Sequence, residues 1–239
     1  MVEHSVDYLN HVRRHPPGVF SSHNPKINSP MRILSTCLFT GFCLTASLSA
    51  QNLLTNAGFE RGMINWVTFI PAESVAQAPV LEVAKGSAHT GTSALRLMST
   101  TSSRFAIGNY PWIPVVTGER FRVSAWYRIE PGAVAKATLP GFVMRLNFKQ
   151  DDAPAGTQTK HLYVGPSGAI SSGVGPQLVR PALPTEWTLI EAVVEVPANT
   201  NIMSVNFFSW GLTGAVLVDD ALIEKVAADV APTVLAGSP

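Results

Sequence analysis

The stretch FVMRLNFKQ, residues 142–150, carries the period that decides the fold. Phe142, Met144, Leu146 and Phe148 recur at every second position, with Arg145, Asn147 and Lys149 between them. A β-strand sends successive side chains to opposite faces, so this stretch reads as a strand with one apolar and one polar face. The same alternation returns in FRVSAWYRIE (121–130), TLIEAVVEVP (188–197), NIMSVNFFSW (201–210) and AVLVDDALIE (215–224), with Pro- and Gly-containing turns between them. No stretch from residue 51 onward shows a long amphipathic helical period. Short strands that each have one face to bury pack best as two layers. The reading is therefore an all-β, two-sheet antiparallel β-sandwich of the jelly-roll type.

Upstream, residues 31–50 (MRILSTCLFTGFCLTASLSA) run from Met31 and Arg32 through an uncharged apolar segment to small residues at Ser47, Ser49 and Ala50. That is the layout of a secretory signal peptide, with cleavage after Ala50 or one residue earlier. A membrane anchor fits less well, because the run is short, broken by Thr and Ser, and has no basic stop-transfer flank. Residues 1–30 are polar and without hydrophobic period, and read as an untranslated or disordered extension ahead of a start at Met31. Removing residues 1–50 removes both cysteines, Cys37 and Cys43, and leaves two histidines, His89 and His161. From residue 51 onward, fourteen acids stand against thirteen bases, a net charge of −1. That composition leaves no thiol chemistry or disulfide, and no basic field for nucleic acid or an anionic membrane. The expectation is a secreted, periplasmic or extracellular sandwich over residues 51–225. The Pro-broken residues 226–239 are expected to be a disordered tail. The Gly-, Ser- and Pro-rich residues 164–187 form the longest irregular segment, of a length that is either functional or mobile.

Five blocks carry a family resemblance. NLLTNAGFERGMINW (52–66), SAHTGTSALRL (87–97), GERFRVSAWYRI (118–129), EWTLIEAVVEVP (186–197) and AVLVDDALI (215–223) follow in a familiar order. Over roughly residues 52–225 the chain resembles the carbohydrate-binding modules appended to bacterial xylanases and cellulases. The resemblance implies a galactose-binding-like jelly roll that binds a polysaccharide, without saying which. It also implies a structural calcium ion tying the first strand to the last. By position its ligands are Glu60, Asp219 and Asp220, with backbone carbonyls near residues 86–90. Calcium suits such a place because it is a hard ion that takes about six to eight oxygens in flexible geometry. Neighbouring carboxylates in a strand point to opposite faces, so one of Asp219 and Asp220 is expected to meet the ion and the other to be solvated. A metal-free version would pair Glu60 with a Lys or Arg. Asn56 to Gly58 can make the turn that returns the first strand, with Phe59 entering the core and Trp66 capping the sandwich.

The sugar site follows from alternation. If residues 121–130, 142–150 and 201–210 share one sheet, its outer face combines Trp126, Arg145, Asn147, Asn206, Phe208 and Trp210. Tyr110 and Trp112 in GNYPWIPV (108–115) would rim it. Pyranose C–H faces stack on aromatic rings, and planar Arg and Asn groups take paired hydroxyl hydrogen bonds, so the mixture suits a sugar. Trp126 has an alternative structural reading, packed under a loop, and Trp187 reads as structural.

The main rival is an enzyme, a jelly-roll lyase or glycosidase. Glu191 and Glu195 lie about 13 Å apart along one strand face, too far for a carboxylate pair that needs about 5–9.5 Å. His161 and Tyr163, with Arg145 or Lys149, form the remaining lyase-like set. A structural or adhesive cell-surface domain is the third reading, since fold alone does not assign function.

Overall fold

A computed structural model describes residues 51–77, 79–154, 159–174, 178 and 183–236. The expected extension and signal peptide lie outside them. The strands β1 (Trp66–Phe69), β2 (Val80–Lys85), β3 (Ser93–Ser99), β4 (Arg104–Asn109), β5 (Ile113–Pro114) and β6 (Arg120–Ile129) come first. β7 (Val134–Ala135), β8 (Gly141–Lys149), β9 (Lys160–Val164), β10 (Ile170–Ser171), β11 (Thr188–Glu195), β12 (Ile202–Trp210) and β13 (Leu212–Val226) follow. One turn of helix, α1 (Ala72–Val75), lies between β1 and β2.

The strands form two antiparallel sheets, as a jelly-roll sandwich requires. One has the order β1-β4-β12-β8-β9-β10, with β5 also on β12. The other has the order β11-β6-β13-β3-β2, with β7 also on β13. Between them lies one core. Phe142, Met144, Leu146 and Phe148 of β8 and Met203, Val205 and Phe207 of β12 meet Phe121, Val123, Ala125, Tyr127 and Ile129 of β6 there. Phe142 stacks on Tyr127 at 4.9 Å and on Phe207 at 6.2 Å, joining the layers. Each such side chain contributes about 1.5–3 kcal/mol when fully buried, so these rows of rings close the sandwich.

The inward faces are as the alternation predicts, but the sheet membership is not. β6 lies in the layer opposite β8 and β12, so its outward residues, Trp126 among them, face away from theirs. That outer face is an ion-pair surface. Arg122 meets Glu224 at 2.5 Å and Glu191 at 3.8 Å, Arg120 meets Glu195 at 3.1 Å, and Arg96 meets Glu130 and Glu82. Glu191 and Glu195 are thus neighbours of arginines, as ordinary solvated carboxylates are.

The first residues are tied to the last strand. Asn52 Oδ1 accepts from the Leu54 and Ile223 amides, and its Nδ2 donates to the Ala221 carbonyl. Phe59 is wholly buried, and Trp66 packs 4.9 Å from it and 5.6 Å from Phe207. Trp66 is therefore part of the core rather than a lid on its end. Asn56 turns the chain at φ 55°, and its side chain holds the Arg61 amide and the Gly62 and Ile64 carbonyls.

The tail is a second correction. Over its described length to Ala236 it is docked, not loose. The Thr233 amide donates to the Val193 carbonyl, Thr233 Oγ1 accepts from the Val193 amide, and the Ala236 amide donates to the Ile170 carbonyl. Arg120 Nη1 donates to the Val230 carbonyl at 2.9 Å. Backbone donors and acceptors left open at the rims of both sheets, on β10 and β11, draw the segment in.

Candidate functional site

The registers of β1, β4, β12, β8, β9 and β10 arrange the outer face of their sheet as rows. One row runs Val67, Gly108, Asn206, Arg145, Tyr163 and Ser171 across all six strands. Beside it lies Ser204, Asn147 and His161. On its other side come Phe69, Ala106, Phe208 and Val143, then Arg104, Trp210 and Gly141. The face is therefore polar at one end and apolar at the other.

The apolar end is covered. Ala106, Val143, Tyr163, Leu178 and Phe208 form a second buried cluster, with Trp210 packed against it. Leu178, from the long irregular segment, is wholly buried there, and Phe208 is 1% exposed. Gly165 allows this approach, because a Cβ on it would come within 2.8 Å of the Leu178 carbonyl oxygen. Trp210 lies 6.1 Å from Tyr163, and the Arg104 guanidinium lies 5.0 Å from its ring centre. Of the predicted stacking platforms, Phe208 thus belongs to a satellite core and Trp210 packs half-buried against it.

The polar end is an open cleft of about 300 Å³. Arg145, Asn147, Ser204, Asn206 and His161 line it together with Val67, Phe69, Tyr110 and Trp112. Asn147 is the hub, at 3% exposure. Its Nδ2 donates to Ser204 Oγ at 3.0 Å and to Asn206 Oδ1 at 2.8 Å, and its Oδ1 lies 2.9 Å from His161 Nδ1. A carbonyl oxygen only accepts, so His161 carries its proton on Nδ1. Burial, with the nearby Arg145 charge, lowers the His161 pKa and favours the neutral ring, whose Nε2 then accepts. Gly108 makes room for the network, since a Cβ there would fall 2.6 Å from Asn206 Oδ1.

Arg145 lies beneath the cleft with its guanidinium 4.4 Å from the centre of the Phe208 ring. At the rim, Tyr110 is 61% exposed and Phe69 48% exposed, and Lys149 Nζ lies 4.8 Å from the Trp112 ring. Of the predicted sugar residues, the structure gathers Arg145, Asn147, Asn206, Tyr110 and Trp112. It removes Phe208 and Trp210 to the cluster and Trp126 to the other sheet. Phe69, Val67, Ser204 and Gly108 join them; β1 is too short for its alternation to stand out in the sequence. Of the lyase-like set, His161 and Arg145 line the cleft, whereas Tyr163 is 8% exposed and does not. Among the described residues, no Asp or Glu lines the cleft.

Trp126 instead stacks on His89 at 4.1 Å and 14°, with Trp187 edge-on to His89 at 5.6 Å. His89 belongs to the loop that meets the three predicted metal ligands. Its amide and that of Thr90 donate to Asp219, and its Nδ1 lies 2.7 Å from Asp220. Thr90 Oγ1 donates to Asp220. The pair does not splay to opposite faces. A register shift between Asp219 and Leu222, with Asp220 at φ 44°, puts both Oδ1 atoms 3.6 Å from where a Cβ on Gly58 would lie. Asp219 is wholly buried, which raises its pKa, and neither carboxylate has a Lys or Arg partner among the described residues.

Glu60 is held differently. Its Oε1 accepts from the Thr92 and Ser93 amides and its Oε2 from both hydroxyls. The Thr92 amide, foremost among these donors, lowers its pKa to about 2. Four donors occupy the four lone-pair directions of a carboxylate. Asp219 accepts from the His89, Thr90 and Asp220 amides and Asp220 contacts His89 and Thr90, so each keeps a lone-pair direction that a hard cation could take, while the Glu60 side chain ties the loop. Among the described residues, no three His, Cys, Asp or Glu gather as a metal cage, so an ion here would also need backbone or water oxygens.

No protein-family model matches the chain, and no curated protein matches it. Carbohydrate-binding modules predominate among similar solved structures. The C-terminal family 22 carbohydrate-binding module of Clostridium thermocellum xylanase 10B is 13% identical, with a TM-score of 0.50 over 73% of this chain and 94% of that one. The enzymatically active domain of bacteriophage CBA120 tailspike protein 4 is 11% identical, with a TM-score of 0.51 over 73% of this chain. The match spans only 21% of that phage chain. The protein therefore has the jelly-roll sandwich fold that these carbohydrate-binding modules share.

Proposed function

We propose that the protein is a secreted, noncatalytic module that binds a polysaccharide in the cleft formed by β1, β4, β12, β8 and β9. The observation that carries this is the cleft floor, where Asn147, Asn206, Ser204 and His161 form one hydrogen-bonded network beneath the exposed rings of Tyr110 and Phe69 and the half-buried ring of Trp112. Fixed planar donors and acceptors orient sugar hydroxyls, and rim aromatics cover pyranose faces. The similar solved structures support a glycan ligand through their fold. The apolar segment at residues 31–50 supports secretion.

The noncatalytic part rests on the lining. Glycoside hydrolysis ordinarily needs two flanking carboxylates, and the cleft offers none among its lining residues. A β-elimination set would need Tyr163 as an accessible proton donor, and that side chain is covered. Retention of the protein on insoluble polysaccharides, with the same samples assayed for new reducing or unsaturated ends, tests both parts. Retention without products is the expected result; released products would replace binding with catalysis at His161. Failure to bind any glycan would favour an adhesive domain.

The same proposal includes a structural calcium ion held by Asp219 and Asp220. When bound, the ion would supply charge neutralisation for two converging carboxylates, one of them buried. His89, stacked on Trp126, positions the loop over them.

A further inference from the structure

We propose that the cleft selects an acidic glycan, one whose sugar carries a carboxylate or sulfate oxyanion, and that Arg145 is the residue that reads it. The inference rests on the sugar-binding reading of the cleft and names the ligand class for it. Its basis is an imbalance between the two outer faces. Where β6, β11, β13 and β3 face outward, three arginines pair with acids: Arg96 with Glu130 and Glu82, Arg120 with Glu195, and Arg122 with Glu224 and Glu191. Arg128 has the charge of Glu130 close enough to be felt. On the cleft face, Arg104 has Glu73.

Arg145 has no acidic partner among the described residues. From residue 51 onward, the residues outside the description (78, 155–158, 175–177, 179–182 and 237–239) include no Asp or Glu that could supply one. Its Nε is buried without a hydrogen-bond partner, as is that of Arg128, but Arg128 has the Glu130 charge nearby and Arg145 has no acid. Burial, with the Arg104 charge, disfavours the charged guanidinium more than the neutral Tyr163 hydroxyl supports it, yet an arginine stays charged at any ordinary pH. A buried charge with no counter-ion under a cleft is costly until a ligand offsets it. The guanidinium fork matches a planar carboxylate, or two oxygens of a sulfate, in bidentate fashion. Lys149 beside Trp112 adds a second positive charge near the cleft.

Affinity electrophoresis of the protein tests this against polygalacturonate, alginate and carrageenan, each run beside its carboxyl-reduced or desulfated counterpart. At least one acidic polymer is expected to bind about 10- to 100-fold more tightly than its neutral counterpart, the range of a charge-assisted pair. That preference should shrink at high salt. Which counterpart loses binding separates carboxylate from sulfate recognition. Arg145→Met should erase the preference, and Arg145→Lys should restore part of it by charge without the fork. The wild-type comparison stands even if a variant fails to fold. Equal binding of acidic and neutral counterparts would overturn this inference and leave the sugar-binding reading intact. Binding of no polymer at all would overturn both.

Discussion

Replacing Phe208 with Ala separates a stacking platform from a core residue. The ring is 1% exposed, enclosed by Ala106, Val143, Tyr163 and Leu178, with the Arg145 guanidinium 4.4 Å from its centre. Truncating a buried Phe costs about 3–5 kcal/mol, the transfer and cavity contributions together. A domain of this size loses about 2–4 °C of thermal midpoint per kcal/mol, so Phe208→Ala should lower the midpoint by about 6–20 °C. Calorimetry with a urea titration measures it, and polymer retention on the folded fraction completes the comparison. Arg145 would lose the ring it rests on, so weakened binding should accompany the fall. A midpoint within about 2 °C of wild type, with binding lost, would refute the reasoning, because such a shift is far below a core truncation. The counterpart is Trp112→Ala, which should weaken binding and leave the midpoint nearly unchanged.

Gly108→Ala should displace the Asn206 amide, which a Cβ would meet at 2.6 Å, and weaken glycan binding by about tenfold for one lost fixed hydrogen bond. Its midpoint should stay close to wild type, because Asn147 Nδ2 keeps Ser204; unchanged affinity would remove Asn206 from the site. Chelating calcium should lower the thermal midpoint of wild type but not of an Asp219→Ala, Asp220→Ala variant, and an unchanged wild-type midpoint would remove the ion. The depressed pKa of His161 makes its contribution to stability full above its unfolded value of about 6.5 and lost as pH falls through its lower folded value. Acidification should therefore destabilise wild type more than His161→Gln, and equal slopes would contradict a desolvated neutral ring.

What was legible in the sequence is what a two-residue period encodes. The inward sets of β8, β12 and β6 are local facts about each strand, and Arg145, Asn147 and Asn206 follow from them. Which strands share a sheet depends on pairings distant along the chain, so alternation alone does not show that Trp126 lies on the other layer. Phe208 alternates outward as expected, but Leu178, thirty positions earlier, covers it through the space left at Gly165. The convergence of Asp219 and Asp220 depends on a bulge, and nothing in the VDDAL stretch marks it. Position marks Glu60 as a ligand candidate, and only the folded hairpin brings it the Thr92 and Ser93 donors.

The docked C-terminal segment has a consequence for how the protein behaves in a crowd. An outermost strand exposes unpaired amides and carbonyls that invite a strand from another molecule. Here Thr233 occupies such groups on β11, and Leu235 and Ala236 occupy them on β10. The chain caps two rims with its own backbone, one in each layer, and so withholds the template on which copies would otherwise add strand to strand. Resistance to aggregation is thus built into a stretch whose composition looks like slack.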